Sequence, residues 1–96
     1  MAAYVMVEVE VTDASGYEEY KKLAQHTVAL YGGRYLARGG EVATLEGPPP
    51  LARVVVLEFP SLSQAKAWWA SPEYAPAKAL RQRTARSRLV AVAGVD

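Results

Sequence analysis

From Tyr4 to Val11 the chain reads YVMVEVEV, and the alternation is strict. Val5, Val7, Val9 and Val11 fall on one face of an extended segment, and Tyr4, Met6, Glu8 and Glu10 on the other. Period two with β-branched residues marks a strand. The segment RVVVLEF repeats the arrangement, with Val55, Leu57 and Phe59 on one face and Val54, Val56 and Glu58 on the other. The chain must therefore build a sheet with one apolar side toward a core. Its other side has to accommodate apolar groups and carboxylates together.

The connections fix the order. TDASGYEEYKKLAQHTVALYGG reads as a helix: Ser15 with Glu18 fits a capping box, and Asp13 is a competing cap. Tyr17, Tyr20, Ala24, Val28 and Tyr31 recur at steps of three and four along one face. Gly32 and Gly33 stop the helix, because glycine takes the left-handed conformation of a helix end without steric cost. RYLA opens a second strand, which Gly39 and Gly40 bend and EVATLEG continues. GPPPLA is expected to be an exposed hairpin loop before the strand RVVVLEF. Pro60 ends that strand, and Ser61 with Gln64 caps a helix through Trp68 and Trp69. In SPEY, Ser71 reads as a new cap with Pro72 at the first helical position, and the helix continues to about Arg86. SRLVAVAGV is the final strand. The order βαββαβ predicts a ferredoxin-like α+β fold, with a four-stranded antiparallel sheet and two helices on one face.

Composition narrows the chemistry. Ninety-six residues make one domain, residues 1–96, burying roughly two thirds of its unfolded surface. A net charge of +1 gives no general pull toward nucleic acid or anionic lipid. No cysteine and a single histidine exclude thiolate chemistry and any multi-histidine metal site within one chain. No apolar run nears the roughly 20 residues of a membrane span, and the N-terminal stretch reads as a strand rather than a signal peptide, so a cytoplasmic protein is expected.

The side of the sheet away from the helices then carries Tyr4, Met6, Glu8, Val54, Val56 and Glu58. It is too apolar for water, since large contiguous apolar patches on monomers usually mark contacts. It is also too acidic for plain core. These properties predict a homodimer whose sheets face each other around a partly polar cavity, with RYLARGGEVATLEG reaching toward the partner. Glu8 and Glu58 are then either general acid and base groups with pKa raised by partial burial, or members of salt bridges. Arg34 and Arg38 share strand parity and are expected to point the same way. They either pair with Glu8, Glu41 or Glu58, or clamp a ligand carboxylate or phosphate through the planar guanidinium fork. Tyr17 and Tyr20 are core residues, or ligand donors if a hydroxyl reaches the cavity.

Three other features read as structural. His26 falls opposite the tyrosine stripe, beside Glu19 and Lys22, on the solvent side of its helix rather than in position to bind haem. Trp68 and Trp69 diverge by about 100°, so one is core and the other is half exposed or at an interface, where aromatic residues are enriched. Arg81, Arg83, Arg86 and Arg88 read as a solvated, basic helix end without the interleaved aromatics of a nucleic-acid surface.

The runs YGGRYLARGGEVATLEG, RVVVLEFPSLSQAKAWWASPEY and AKALR resemble the domain of unknown function 1330 family, from about Tyr4 to Val95. The resemblance implies a ferredoxin-like chain assembled as a dimeric α+β barrel. The wider superfamily includes small monooxygenases, muconolactone-type isomerases and haem-binding relatives. The family carries no agreed reaction, so no catalytic residue is transferred. The expected protein is a homodimer that binds a small polar or anionic molecule between sheet and helices, without cofactor or metal. If it is an enzyme, it is a cofactor-independent isomerase or monooxygenase, with Glu58 or Glu8 moving protons and Arg38 or Arg34 holding an anion. The alternative is a non-catalytic module for ligand sensing or dimerisation.

Overall fold

The computed structural model describes residues 1–95. The elements follow in the order β1 (Ala3–Val11), α1 (Ala14–Leu30), β2 (Arg34–Arg38), β3 (Arg53–Phe59), α2 (Leu62–Trp69), α3 (Ala75–Thr84) and β4 (Ala85–Ala93). The strands form one antiparallel sheet in the order β2-β3-β1-β4, so the two most apolar strands lie at its centre. This is the expected ferredoxin-like α+β plan, with the second helix broken into α2 and α3.

Val5, Val7 and Val9 of β1 and Val55, Leu57 and Phe59 of β3 are buried beneath the helices, against Tyr17, Tyr20, Ala24 and Val28 of α1 and Ala65 and Trp68 of α2, while Val11 at the end of β1 is exposed. Trp68 is 1% exposed and stacks with Tyr74 at 4.2 Å and Phe59 at 5.3 Å. Its indole N–H donates to Thr27 Oγ1 at 3.1 Å. Trp69, turned away by one helical step, is 46% exposed with the Lys78 ammonium 3.7 Å from its ring centre.

The ends of the helices follow local chemistry. Asp13, not Ser15, caps α1, accepting from the Gly16 N–H at 3.3 Å. Glu18 is drawn instead to Lys21 at 3.0 Å, so the Ser15–Glu18 capping box does not form. At the other end Gly32 takes φ 77°, its N–H reaches Ala29 O, and the Gly33 N–H reaches Val28 O. That pair of bonds is a Schellman closure. Ser61 accepts from the Gln64 N–H at 3.1 Å, as expected. Ser71 does not start a helix at Pro72. Its hydroxyl donates to Trp68 O and accepts from the Tyr74 N–H, closing a turn, and α3 begins at Ala75 with Pro76 in its first turn. The last helix ends at Thr84 rather than near Arg86, because Arg86 already pairs across to Glu10 of β1 at 2.7 Å.

The second strand is shorter than its sequence predicts. Gly39 at φ 74° turns the chain, and its N–H makes the final bond to Val54 O at 3.1 Å. Residues 41–46 are exposed and irregular. Strand β2 is the edge of the sheet, so beyond the bend the described residues offer EVATLE no neighbour to pair with.

Candidate functional site

On the side away from the helices, Met6 pairs with Val56 on β3 and Val90 on β4, and Tyr4 faces Val92. Met6, Val90 and Val92 are 50, 62 and 50% exposed, so an apolar band across β1 and β4 is in contact with water. The acids of this face each have a cation. Glu58 accepts from Arg34 Nε at 2.6 Å. Glu8 accepts from Arg88 at 2.6 Å and from the Leu51 N–H at 3.1 Å, tying down the end of the segment that follows β2. The Arg88 bond first and the Leu51 N–H second hold the Glu8 carboxyl below its ordinary range.

Arg38 is not on this face. Arg34 stands opposite Glu58 and Tyr35 opposite Leu57, but the register then slips, placing Ala37 opposite Val56 and Arg38 opposite Val55. Leu36 is the extra residue of a β-bulge, and one inserted residue reverses the alternation beyond it. The parity expected to join Arg34 and Arg38 is thereby broken, and Arg38 turns toward the helices. Its Nη1 donates to Gln25 Oε1 at 2.9 Å and its Nη2 to Lys21 O at 3.3 Å, both on α1. The guanidinium also covers the Tyr35 ring at 4.3 Å.

Arg53, the first residue of β3, has the parity of Val55 and Leu57 and points the same way. Its Nε is buried with no hydrogen-bond partner. Its guanidinium lies 5.8 Å from the Tyr17 ring centre and packs on Gly39, where any Cβ would overlap it. Tyr17, Tyr20, Tyr35, Arg38, Arg53 and Trp68 surround a cavity of about 20 Å³, space for one water. Beside it a more open recess of about 430 Å³, lined by Lys21, Lys22, Gln25, Glu18 and the same two arginines, faces solvent.

The charges in this cleft are unbalanced. Lys21 is matched by Glu18. Among the described residues neither Arg38 nor Arg53 is in an ion pair. Burial pushes the Tyr17 hydroxyl pKa up, and Arg53 opposes that rise. Burial likewise raises Tyr35 and Tyr20; for Tyr20 the Tyr74 hydroxyl, 2.9 Å away, adds to the effect. Arg81 reaches this network from α3, donating to Tyr74 OH at 3.4 Å and to the Ser87 hydroxyl. At 4% exposure Arg81 is a core residue, not part of a solvated helix end, while Arg86 and Arg88 sit on β4.

Six residues singled out in the sequence thus separate into two groups. Arg38, Tyr17 and Tyr20 meet on the helix side, while Glu8, Glu58 and Arg34 share the opposite side and are bonded there. Arg53 and Tyr35 were not among them, although an arginine at the core-facing parity of an apolar strand is itself a signal. His26 is exposed on α1. Among the described residues no cluster of acidic, histidine or cysteine side chains could hold a metal ion, and no helix is long and apolar enough to cross a membrane.

The sequence model described as "Domain of unknown function (DUF1330)" matches residues 2–95. The chain belongs to this family. The DUF1330 chain shares its fold with a protein of unknown function from Rhodopseudomonas palustris, at 21% identity and TM-score 0.78, over 99% of this chain and 83% of that one. It is similar to SnoaB, a cofactor-independent oxygenase from Streptomyces nogalater, at 9% identity and TM-score 0.67, over 99% and 94% of the two chains. A dimeric ferredoxin-like protein of unknown function from Thermobifida fusca matches at 16% identity and TM-score 0.66, over 98% and 92%. At such identities the likeness is one of fold. No curated protein matches the chain in sequence.

Proposed function

We propose that this DUF1330 protein is a homodimer that binds a small anion in the cleft between α1 and the β2–β3 edge of the sheet. One observation carries the binding site: Arg53 keeps a buried, unbonded Nε beside Arg38, and neither has a carboxylate partner among the described residues. A buried donor without an acceptor is costly, and two like charges on one sheet face repel. An anion removes both penalties. In this reading Arg38 and Arg53 hold the anion, while Tyr17, Tyr20 and Tyr35 wall the inner end. The dimer covers the apolar band of Met6, Val90 and Val92, and the dimeric relative from Thermobifida fusca supports that assembly. Glu8, Glu58 and Arg34 then order the contact between subunits.

A binding or sensing module fits this cleft better than an enzyme built on Glu8 or Glu58. Those carboxylates lie across the sheet from the arginines, and no carboxylate or imidazole lines the inner cavity. Cofactor-independent isomerase or monooxygenase chemistry is the second reading, favoured by the fold shared with the Streptomyces oxygenase. It would require a tyrosine hydroxyl rather than a carboxylate to handle the proton.

The test is the heat-denaturation midpoint as small carboxylates or sulfate replace chloride at constant ionic strength. The wild type is stabilised, Glu58→Gln responds as the wild type does, and Arg53→Gln loses the response. An equal response in wild type and Arg53→Gln would remove the cleft from the account.

A further inference from the structure

We infer that the ligand of this cleft is a small dicarboxylate, with one carboxylate held by the guanidinium of Arg53 and the second facing Arg38. The inference rests on the cleft being the binding site.

Arg53 supplies the shape. Its guanidinium is packed on Gly39, and the donor left without a partner is Nε. Nε–H and the neighbouring Nη–H form one edge of the fork, with parallel donors spaced for the two oxygens of a carboxylate. A halide or a single carbonyl would satisfy only one of them.

Arg38 supplies the second charge. Both of its bonds go to neutral acceptors, the amide of Gln25 and the backbone carbonyl of Lys21. These fix where the guanidinium sits without neutralising it. Arg38 stands opposite Val55, so Arg53, two residues back on β3, is its diagonal neighbour on the same face. The backbone positions of such neighbours are about 7–8 Å apart, within reach of long side chains, so their like charges repel. Lys21 adds no further demand because Glu18 meets it at 3.0 Å, and Lys22 is exposed at the rim. Two unneutralised cations on one face match a ligand that carries two negative groups.

The available space agrees. The inner cavity of about 20 Å³ admits nothing larger than a water, so Tyr17 and Tyr35 do not sandwich the ligand. The recess of about 430 Å³ over Arg38 and Arg53 has room for a short carbon chain.

Calorimetric titration at constant ionic strength, comparing malonate, succinate and glutarate with propionate, butyrate and pentanoate, tests the inference. At least one dicarboxylate is expected to bind about tenfold or more tightly than the monocarboxylate of equal length, the value of one added charge-assisted pair. Arg38→Gln is expected to abolish that advantage while leaving monocarboxylate binding in place. Arg53→Lys, which keeps the charge but loses the fork, weakens both series. Equal binding of every matched pair would overturn the dicarboxylate and leave a site that reads one carboxylate. Sulfate binding without any carboxylate binding would also overturn it, leaving an anion site of another class. If none of these anions binds, sulfate included, the reading of the cleft itself falls.

Discussion

Gly39 lies so close under the guanidinium of Arg53 that a Cβ at position 39 would occupy the same space. The glycine serves two purposes there: its φ of 74° ends β2, and its missing side chain leaves a bed for the arginine. Gly39→Ala therefore costs about 1–2 kcal/mol for the left-handed backbone and also displaces Arg53. Urea denaturation should show that modest loss, while anion titration of the same variant shows binding nearly abolished. Retained binding would mean that the position of Arg53 is unimportant.

The adjacent tryptophans should part company. Trp68→Ala opens the centre of the core and is expected to cost about 3–5 kcal/mol. Trp69→Ala loses an exposed ring and its contact with Lys78, worth about 0.5–1 kcal/mol. Equilibrium denaturation of the two variants compares them directly, and equal losses would contradict the described packing.

Glu8 gives a dependence on pH with a definite sign. Its carboxyl is held below the ordinary value of 4.5, chiefly by Arg88 and then by the Leu51 N–H. A depressed folded value means that the contact stabilises near neutral pH and fades as pH falls below 4.5 through the folded value. Glu8→Gln should be less stable than the wild type at neutral pH, with denaturation midpoints that converge in acid. A gap that persists unchanged into acid would show that the ionised carboxylate is not what stabilises.

The bulge at Leu36 offers a topological test. Deleting Leu36 removes the extra residue and leaves Arg34, Tyr35, Ala37 and Arg38 opposite Glu58, Leu57, Val56 and Val55, so Arg38 still faces the helices. The deletion variant should remain folded, since β2 is an edge strand, and should keep its anion binding. Loss of binding in the folded deletion variant would contradict this register.

The alternating valines and the marked ends of α1 made the fold legible, because period two and period 3.6 report burial directly. The acid-bearing outer face was equally legible, since the parity of Glu8 and Glu58 follows from the same strands. What stayed hidden depends on register. A bulge leaves no mark in RYLAR, so Arg34 and Arg38 looked like a pair although they face opposite ways. EVATLE has the composition of a strand, yet a strand needs a neighbour, and the described residues provide none beyond the bend at Gly39. Arg81 illustrates the same limit: a cluster of arginines looks solvated until Tyr74 and Ser87 are seen to receive one of them.

In the proposed function, small-anion recognition falls on the helix side of the sheet and subunit contact on the other. The most direct test follows the arginine side-chain Nε–H signals by nuclear magnetic resonance during titration with succinate. Saturable shifts are expected for Arg53 and Arg38, while Arg34 and Arg88 stay fixed. Saturable movement of Arg34 or Arg88 with Arg53 unchanged would contradict the division.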